Sequence, residues 1–166
     1  ALAHVGHRVL VVDLDPQANA SSLLASPPLV ENQAGVANAL SIRSDLSLPD
    51  VITTTMWERV FLAPSGGEAL AAVRDELVIA GPGREARLGE QLALIHEDFD
   101  VVLIDCAPAL DLLTSNALAA ADGVLIVTQS KLLSTTGLAH LLNTISVARH
   151  YLNPTLCVVG VLVNMH

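Results

Sequence analysis

Three aspartates have the spacing in this sequence that most clearly suggests chemistry. Asp13 and Asp15 follow the apolar run VLVV with one leucine between them, and Asp105 ends a second apolar run, DVVLID. Pro16 and Pro108 come shortly afterwards, where they would end strand pairing. Because ligands of open α/β sheets bind beyond the carboxyl ends of the strands, the pattern predicts a ligand site at one sheet edge.

Carboxylates that meet at a sheet edge repel each other unless a cation or a hydrogen-bond donor lies between them. Asp13 and Asp105 suit a hard divalent ion such as Mg²⁺, which proteins hold with one or two carboxylates plus water and phosphate oxygens. In an extended chain Asp15 points to the same side as Asp13, where it can orient or polarise a nucleophile as a general base does. A structural alternative stays open, in which Asp13 or Asp15 only caps the helix that starts near Ala20.

Short, apolar, β-branched runs predict the strands that would position these aspartates. The predicted strands are residues 8–13, 60–63, 100–105, 123–128 and 156–164. Helical spacing of apolar residues predicts helices over residues 84–98, 112–121 and 134–152, the last with Ser134 as its N-cap, and a short helical piece near residues 35–40. Strands that alternate with helices predict an α/β fold, a mostly parallel sheet sandwiched by helices, in a single domain over residues 1–166.

Composition excludes several classes of protein. A hydrophobic content of 52% and a mean hydropathy of +0.55 exclude a disordered chain, and no apolar run approaches the roughly 18 residues of a membrane span. The start lacks the pattern of a signal peptide, so we expect a cytoplasmic protein. Cys106 and Cys157 stand in apolar stretches, and in that reducing compartment we expect both to be free, buried thiols. The net charge of −9 argues against a nucleic-acid-binding surface on this segment.

Several stretches of the sequence resemble one protein family. VLVVDLDPQANASSLL resembles the switch I segment of the ParA/MinD family of deviant Walker-type ATPases. DFDVVLIDCAPALDLLTSNALAAADGVLIVTQ is similar to its Walker B and switch II region, and GLAHLLNTISVARHYLNPTLCVVGVLVNMH continues the match in order and spacing. GVANALS and DVITTTMWERVFLAPSGGEALAA resemble its variable segment. The resemblance covers essentially the whole chain and implies a P-loop NTPase-like fold.

The resemblance implies a role for each of five residues. Asp15 matches the switch I aspartate that positions the attacking water on the γ-phosphate of ATP, and Asp13 matches its companion near the metal shell. Asp105 matches the Walker B aspartate that holds Mg²⁺ through water, and Pro108 matches the start of switch II, which senses the γ-phosphate. Asn164 is similar to residues that contact adenine in relatives, although an asparagine that ends a strand is also an ordinary turn residue.

The phosphate-binding loop of the family does not occur in these 166 residues. There is no G-x-x-x-x-G-K-[ST], and the one lysine, Lys131, lies in QSKLL without a flanking glycine. ALAHVGHR has the pattern of a helix end closed by Gly6, so we expect the sequence to start inside the family's first helix and to be truncated at both ends. Without that loop, this segment alone is expected to bind ATP weakly. Without the family's first strand, its sheet is expected to have two exposed strand edges. Whether the segment has enzymatic activity of its own is left open.

For the intact protein, the resemblance implies Mg²⁺-dependent ATP hydrolysis coupled to homodimerisation and nonspecific DNA binding in chromosome or plasmid partitioning. It implies a ParB-like adaptor as partner and a nucleoid-associated location, and no membrane binding is indicated. A non-hydrolysing remnant that docks a partner is the main alternative. A haloacid-dehalogenase-type phosphatase also has D-x-D after an early strand, but Pro16 and Gln17 stand where it has a small residue and threonine. A dinucleotide-binding Rossmann enzyme, with Asp13 on a ribose, would need a G-x-G-x-x-G that is absent.

Overall fold

The computed structural model describes residues 1–107, 111–129 and 135–164, which form two compact units. The first unit is Ala1–Ala117 and the second is Leu118–His166. Pro108, Lys131 and Ser134, which the sequence singled out, lie outside the described residues. The single domain over residues 1–166 stays a prediction.

The first unit is built on a four-stranded sheet. Its strands are β1 (Val9–Leu14), β2 (Thr53–Thr54), β3 (Val60–Ala63) and β4 (Val101–Cys106), in the order β2-β3-β1-β4. β1 is parallel to both β3 and β4, and β2 is antiparallel to β3. The central strand β1 therefore has hydrogen-bonded neighbours on both sides, and its carboxyl end meets that of β4.

In the part of the first unit that the structure describes, six α-helices and one 3₁₀ turn accompany the strands. They are the 3₁₀ turn Ala3–Val5, α1 (Asn19–Leu24), α2 (Val36–Leu40), α3 (Leu48–Val51), α4 (Glu68–Ile79), α5 (Arg87–Ala93) and α6 (Leu112–Ala120), within which the unit boundary falls. The 3₁₀ turn ends at Gly6, which has φ +103° and donates its N–H to the Ala3 carbonyl. The predicted helix end is thus one short turn closed by the expected glycine.

Apolar side chains from the sheet and the helices form the core of the first unit. β1 contributes Leu10, Val12 and Leu14, all at most 1% exposed. α4 contributes Leu70, Val73 and Leu77, whose spacing of three and four residues places them on one helix face. The loops that follow β1 and β3 are therefore attached to well-packed strands, which is what a precise site requires.

The second unit contains a parallel pair of strands and one long helix. β5 (Gly123–Gln129) pairs with β6 (Cys157–Asn164), and α7 (Thr135–Tyr151) lies between them in the chain. Its core is a small cluster of buried residues, namely Leu118, Ile126, Ile145, Ala148 and Leu156. β6 is exposed along nearly all of its length. None of the helices in the described part of the chain is long and apolar enough to cross a membrane.

The structure confirms the α/β fold with a mostly parallel sheet and corrects several details. Each predicted strand is present within one residue of its expected bounds. The helix expected over residues 84–98 is confined to Arg87–Ala93, because turns replace it on both sides. α3, α4 and β2 were not predicted. Cys157 is exposed rather than buried, since it begins the exposed strand β6.

Candidate functional site

The structure brings the three predicted aspartates together at the carboxyl edge of the first unit's sheet. Asp13 and Asp105 are directly paired positions on the neighbouring strands β1 and β4. Paired residues of adjacent parallel strands lie about 5 Å apart and point to the same face of the sheet. Asp15 follows immediately after β1. Three carboxyl groups therefore lie at the same edge of the sheet.

Asp13 is completely buried, and both of its carboxylate oxygens accept hydrogen bonds. Oδ1 accepts the Asp15 N–H at 3.1 Å, while Oδ2 accepts the Ser21 N–H at 2.7 Å and the Ser21 hydroxyl at 2.6 Å. Ser21 lies in the first turn of α1, whose free N–H groups favour a negative charge. This geometry is the one that the capping alternative predicts for Asp13, and the donors compensate its buried charge.

Asp15 begins a tight turn immediately after the strand. Its Oδ1 accepts the Gln17 N–H at 2.9 Å, and its carbonyl accepts the Ala18 N–H at 2.9 Å. Aspartate followed by proline is a favoured start for such a turn, because the carboxylate bonds the main chain two residues on and proline presets φ. Asp15 is half-buried, and its Oδ2 accepts no hydrogen bond from the residues that the structure describes. One carboxylate oxygen is fixed and the other is available to a ligand or a water.

Ala18 ends this turn in the left-handed region, with φ +55° and ψ +34°. That conformation costs a residue with a Cβ about 1–2 kcal/mol relative to the right-handed one. The turn is therefore held in place by its surroundings, namely by the hydrogen bonds of Asp13 and Asp15.

Asp105 differs from Asp13 because it is exposed and accepts no hydrogen bond within the described ranges. Partial desolvation raises the pKa of the Asp105 carboxyl above its usual value, and the negative charges of Asp13 and Asp15 raise this pKa further. Hydrogen-bond donors of the protein thus compensate the charge of Asp13, whereas the charge of Asp105 is repelled by those of Asp13 and Asp15. A cation beside Asp105 would relieve that repulsion.

Burial raises the pKa of the neighbouring Cys106 thiol to about 12, and the charge of Asp105 adds to this effect. At neutral pH the thiol therefore stays protonated. Cys106 is half-buried rather than fully buried as expected, and a protonated thiol of this kind is a poor nucleophile and a poor metal ligand. The chemistry of this edge rests on its carboxylates.

The donor set fits a hydrated hard cation better than a fully protein-bound metal. Within the described ranges, no three His, Cys, Asp or Glu side chains are placed to hold a metal ion by themselves. Mg²⁺ keeps several waters and is commonly bound by one or two carboxylates plus phosphate oxygens. Asp105, which is exposed and lacks donors from the described chain, is the carboxylate suited to it.

For two of the five predicted site residues the structure gives no relation to this edge. Pro108 lies outside the described residues. Asn164 ends β6 in the second unit, at the position paired with Gln129. A nucleotide-binding role for either residue stays a prediction.

Sequence reasoning missed two buried serines at the edge, Ser21 and Ser65. The Ser65 N–H donates to the Ser21 hydroxyl at 2.9 Å, and the Ser65 hydroxyl donates to the Asp15 carbonyl at 2.7 Å. The available signal was weak, since serine in a first helical turn or after a strand usually has only a local role. The bond between the serines joins residues that are far apart in sequence, which the chain alone does not indicate.

The burial of Asp13 also bears on the phosphatase alternative. In that reading the first aspartate of D-x-D would attack phosphorus with a carboxylate oxygen. Asp13 is 0% exposed and its oxygens accept three hydrogen bonds. A carboxylate in this state has no access to a substrate, so the geometry argues against nucleophilic attack by Asp13.

Comparison with known proteins gives consistent matches along the chain. Residues 1–158 match a family model described as AAA domain. The sporulation initiation inhibitor protein Soj of Bacillus subtilis is 39% identical over 164 residues, and the chromosome partitioning protein ParA of Myxococcus xanthus is 36% identical over 165 residues. Each match covers 99% of this chain, which spans 63% of Soj and 56% of ParA.

A solved structure agrees in its fold as well as in sequence. It is described as cobyrinic acid a,c-diamide synthase from Mycobacterium smegmatis with bound ATP analogue and magnesium. It superposes with a TM-score of 0.88 at 36% identity, over 98% of this chain and 64% of that protein. The chain thus spans under two thirds of the relatives and of the structure that it matches.

Proposed function

Since the chain belongs to the ParA/MinD-like family of P-loop ATPases, we propose that it forms the magnesium and water-activating side of an ATP-hydrolysing site. Its relatives support a ParA-like role in partitioning. The observation that carries the proposal is the pairing of Asp13 with Asp105 at the carboxyl edge, where Asp105 is exposed and the described chain does not compensate it.

Each aspartate has a distinct role in the proposed site. Asp105 would hold Mg²⁺ through water, and the bound ion would supply charge neutralisation at the phosphates of ATP. Asp15 would orient the attacking water with the oxygen that Gln17 leaves available, as a general base does. Asp13, whose oxygens are already bonded, would hold the segment around Asp15 in place. Pro108 and Asn164 remain proposed contacts to the γ-phosphate and to adenine.

Coupling to partners is proposed for the whole gene product. We propose that the whole protein forms an ATP-dependent homodimer, binds DNA nonspecifically and is stimulated by a ParB-like adaptor. Its proposed role is chromosome or plasmid partitioning at the nucleoid. The net charge of −9 means that these 166 residues do not supply the positive surface that DNA binding needs. The non-hydrolysing, partner-docking alternative predicts the same fold without turnover, so measurement of hydrolysis separates the two.

The decisive experiment compares ATP affinity and hydrolysis in the full-length gene product and in its Asp15→Asn variant. We expect Asp15→Asn to keep ATP affinity within about twofold and to lower kcat by about 10²–10⁴, the usual contribution of a positioned general base. Asp45→Asn, at an exposed loop position of the same unit, is the matched control and should behave as wild type. Parallel loss of affinity and hydrolysis in Asp15→Asn would make Asp15 structural, and a wild-type protein without ATPase activity would overturn the proposal.

The isolated 166-residue segment gives a second test. Backbone N–H groups and a lysine of a glycine-rich loop supply most phosphate contacts in P-loop proteins, and this sequence has no such loop. We therefore expect calorimetric titration of the segment with ATP and Mg²⁺ to give an affinity weaker than micromolar. Micromolar binding would contradict this expectation.

A further inference from the structure

Two buried serines, the Asp13 carboxylate and the main chain of Asp15 form a closed hydrogen-bonded ring, which we call the serine ring (Asp13, Asp15, Ser21 and Ser65). From Asp13 it runs to Ser21, from Ser21 to Ser65, from Ser65 to the Asp15 carbonyl, and from the Asp15 N–H back to Asp13. Asp13, Ser21 and Ser65 are each 0% exposed. The bonds from Ser21 to Asp13 and to Ser65 are therefore shielded from water, while the two bonds to the Asp15 main chain are partly buried.

The serine ring acts on the main chain of Asp15 from both sides. The Asp15 N–H is held by Asp13, and its carbonyl is held by the Ser65 hydroxyl and by the Ala18 N–H. The strained conformation of Ala18 shows that this loop is not in the shape it would take alone. The ring therefore supplies restraints that the local sequence does not supply.

Ser65 is itself rigidly placed, which makes it a suitable anchor. It follows Pro64 just beyond β3, and its carbonyl accepts the Ala37 N–H at 3.2 Å. The Pro64 carbonyl accepts the Val36 N–H at 2.7 Å, so the first turn of α2 fixes the segment. Ser65 thus connects the packed end of β3 and α2 to the loop that carries Asp15.

We infer that Ser65, with Ser21 as its relay, is a positioning residue for the Asp15 carboxylate. This inference rests on the proposed function, in which Asp15 orients the attacking water. A displacement of about 1 Å in a reacting group can cost about a hundredfold in rate. Loss of the Ser65 hydroxyl is therefore expected to lower turnover while leaving the nucleotide contacts intact.

The primary test is Ser65→Ala in the full-length gene product, with ATP affinity and kcat measured separately. We expect kcat to fall about tenfold or more, while the Kd for ATP stays within about twofold of wild type. Ser41→Ala is the matched control. Ser41 follows α2, and its hydroxyl also makes internal hydrogen bonds, but these go to Glu76 in α4 and not to the loop that carries Asp15. This control should keep the wild-type kcat.

Further variants and a second readout separate a positioning role from a merely structural one. Ser21→Ala breaks the ring at another bond and should lower kcat in the same way, and Ser65→Thr, which restores a hydroxyl, should recover at least a third of the wild-type rate. Should Ser65→Ala not fold, Ser65→Cys, with a weaker donor of similar size, replaces it. Hydrogen exchange of residues 13–21 should speed up about tenfold in Ser65→Ala and not in Ser41→Ala, whether or not ATP is hydrolysed.

The outcomes distinguish this inference from the proposed function. Unchanged kcat in Ser65→Ala, in a protein where Asp15→Asn is inactive, overturns the positioning role alone. A loss of kcat that merely follows a loss of ATP affinity also overturns it, because that result indicates a structural role. Wild-type hydrolysis that survives Asp15→Asn overturns the proposed function and this inference together. Unchanged hydrogen exchange in Ser65→Ala removes the ring as a restraint.

Discussion

Strands β1 and β6 are both runs of valine and leucine, and they have opposite surroundings. β1 has hydrogen-bonded neighbours on both sides, and all but one of its residues are buried. β6 pairs only with β5 in the described part of the chain, and Val159 in it is 65% exposed. The difference arises from the neighbours of each strand and not from its composition. Asp13 and Asp15 lie at the end of β1, the strand that is buried.

The largest effect that tests this comparison is truncation of a buried leucine. Leu10→Ala in β1 removes a side chain that is 0% exposed and should lower the free energy of unfolding by about 2–5 kcal/mol. Leu162→Ala in β6, at a leucine that is 51% exposed, should cost less than about 1 kcal/mol. Denaturant unfolding measures both effects, followed by the single tryptophan, Trp57, in the first unit and the single tyrosine, Tyr151, in the second. Equal costs at the two positions would show that β6 is covered in solution.

A second matched pair uses the same change at two glycines. At Gly35, a Cβ would overlap the Pro64 carbonyl oxygen, which the Val36 N–H already holds. Gly35→Ala should therefore destabilise the first unit by about 1–3 kcal/mol. At Gly160 in β6, a Cβ would make only an ordinary contact of 3.6 Å with Leu125, so Gly160→Ala should be neutral or slightly stabilising. Thermal unfolding of both variants checks the contrast, and a destabilising Gly160→Ala would weaken it.

A smaller effect concerns the loop that follows β1. Ala18→Gly removes the strain of the left-handed conformation but adds freedom to the unfolded chain, so a net stabilisation below about 1 kcal/mol is expected. Ala25→Gly is the matched control, because Ala25 has φ −60° and ψ +132° and should only lose stability. Denaturant titration with Trp57 fluorescence resolves the opposite signs. A destabilising Ala18→Gly would contradict the strain at this turn.

The smallest effect is electrostatic and depends on pH. The pKa of Asp105 is raised in the folded chain, so its charged form opposes folding at neutral pH and this penalty disappears as the pH falls through the raised pKa. Asp105→Asn should therefore be more stable than wild type at pH 7, with a difference that shrinks toward pH of about 4. Asp122→Asn, at an exposed aspartate before β5, is the control. Melting temperatures at several pH values decide the question, and a less stable Asp105→Asn at pH 7 would contradict it.

The strands and the aspartates could be predicted because each depends on a short local pattern. A buried parallel strand needs an apolar run, and a ligand site at the sheet edge needs polar residues directly after that run, as at Asp13 and Asp105. The pattern predicted that they meet at one sheet edge, whereas the direct pairing of β1 with β4 is seen only in the structure. The resemblance to a known family added ATP as the expected ligand of these aspartates.

The rest depends on contacts between distant parts of the chain. The burial of Asp13 requires Ser21, and the restraint on Asp15 requires Ser65, which follows a different strand. The exposure of Cys157 follows from the pairing of β6, which among the described strands is with β5 alone. α4 was missed although Leu70, Val73 and Leu77 have the three- and four-residue spacing of a helix face.

The strand order β2-β3-β1-β4 also has a consequence for how the chain is made. β1 is synthesised before both of its neighbours, which begin only at Val60 and Val101. On the ribosome, the acidic segment after β1 must therefore wait in solvent, with Asp13 hydrated, until most of the first unit has emerged. Such long-range pairing is expected to make the first unit a slow folder. The apolar strand β1 is then expected to depend on protection from aggregation until both neighbours have emerged.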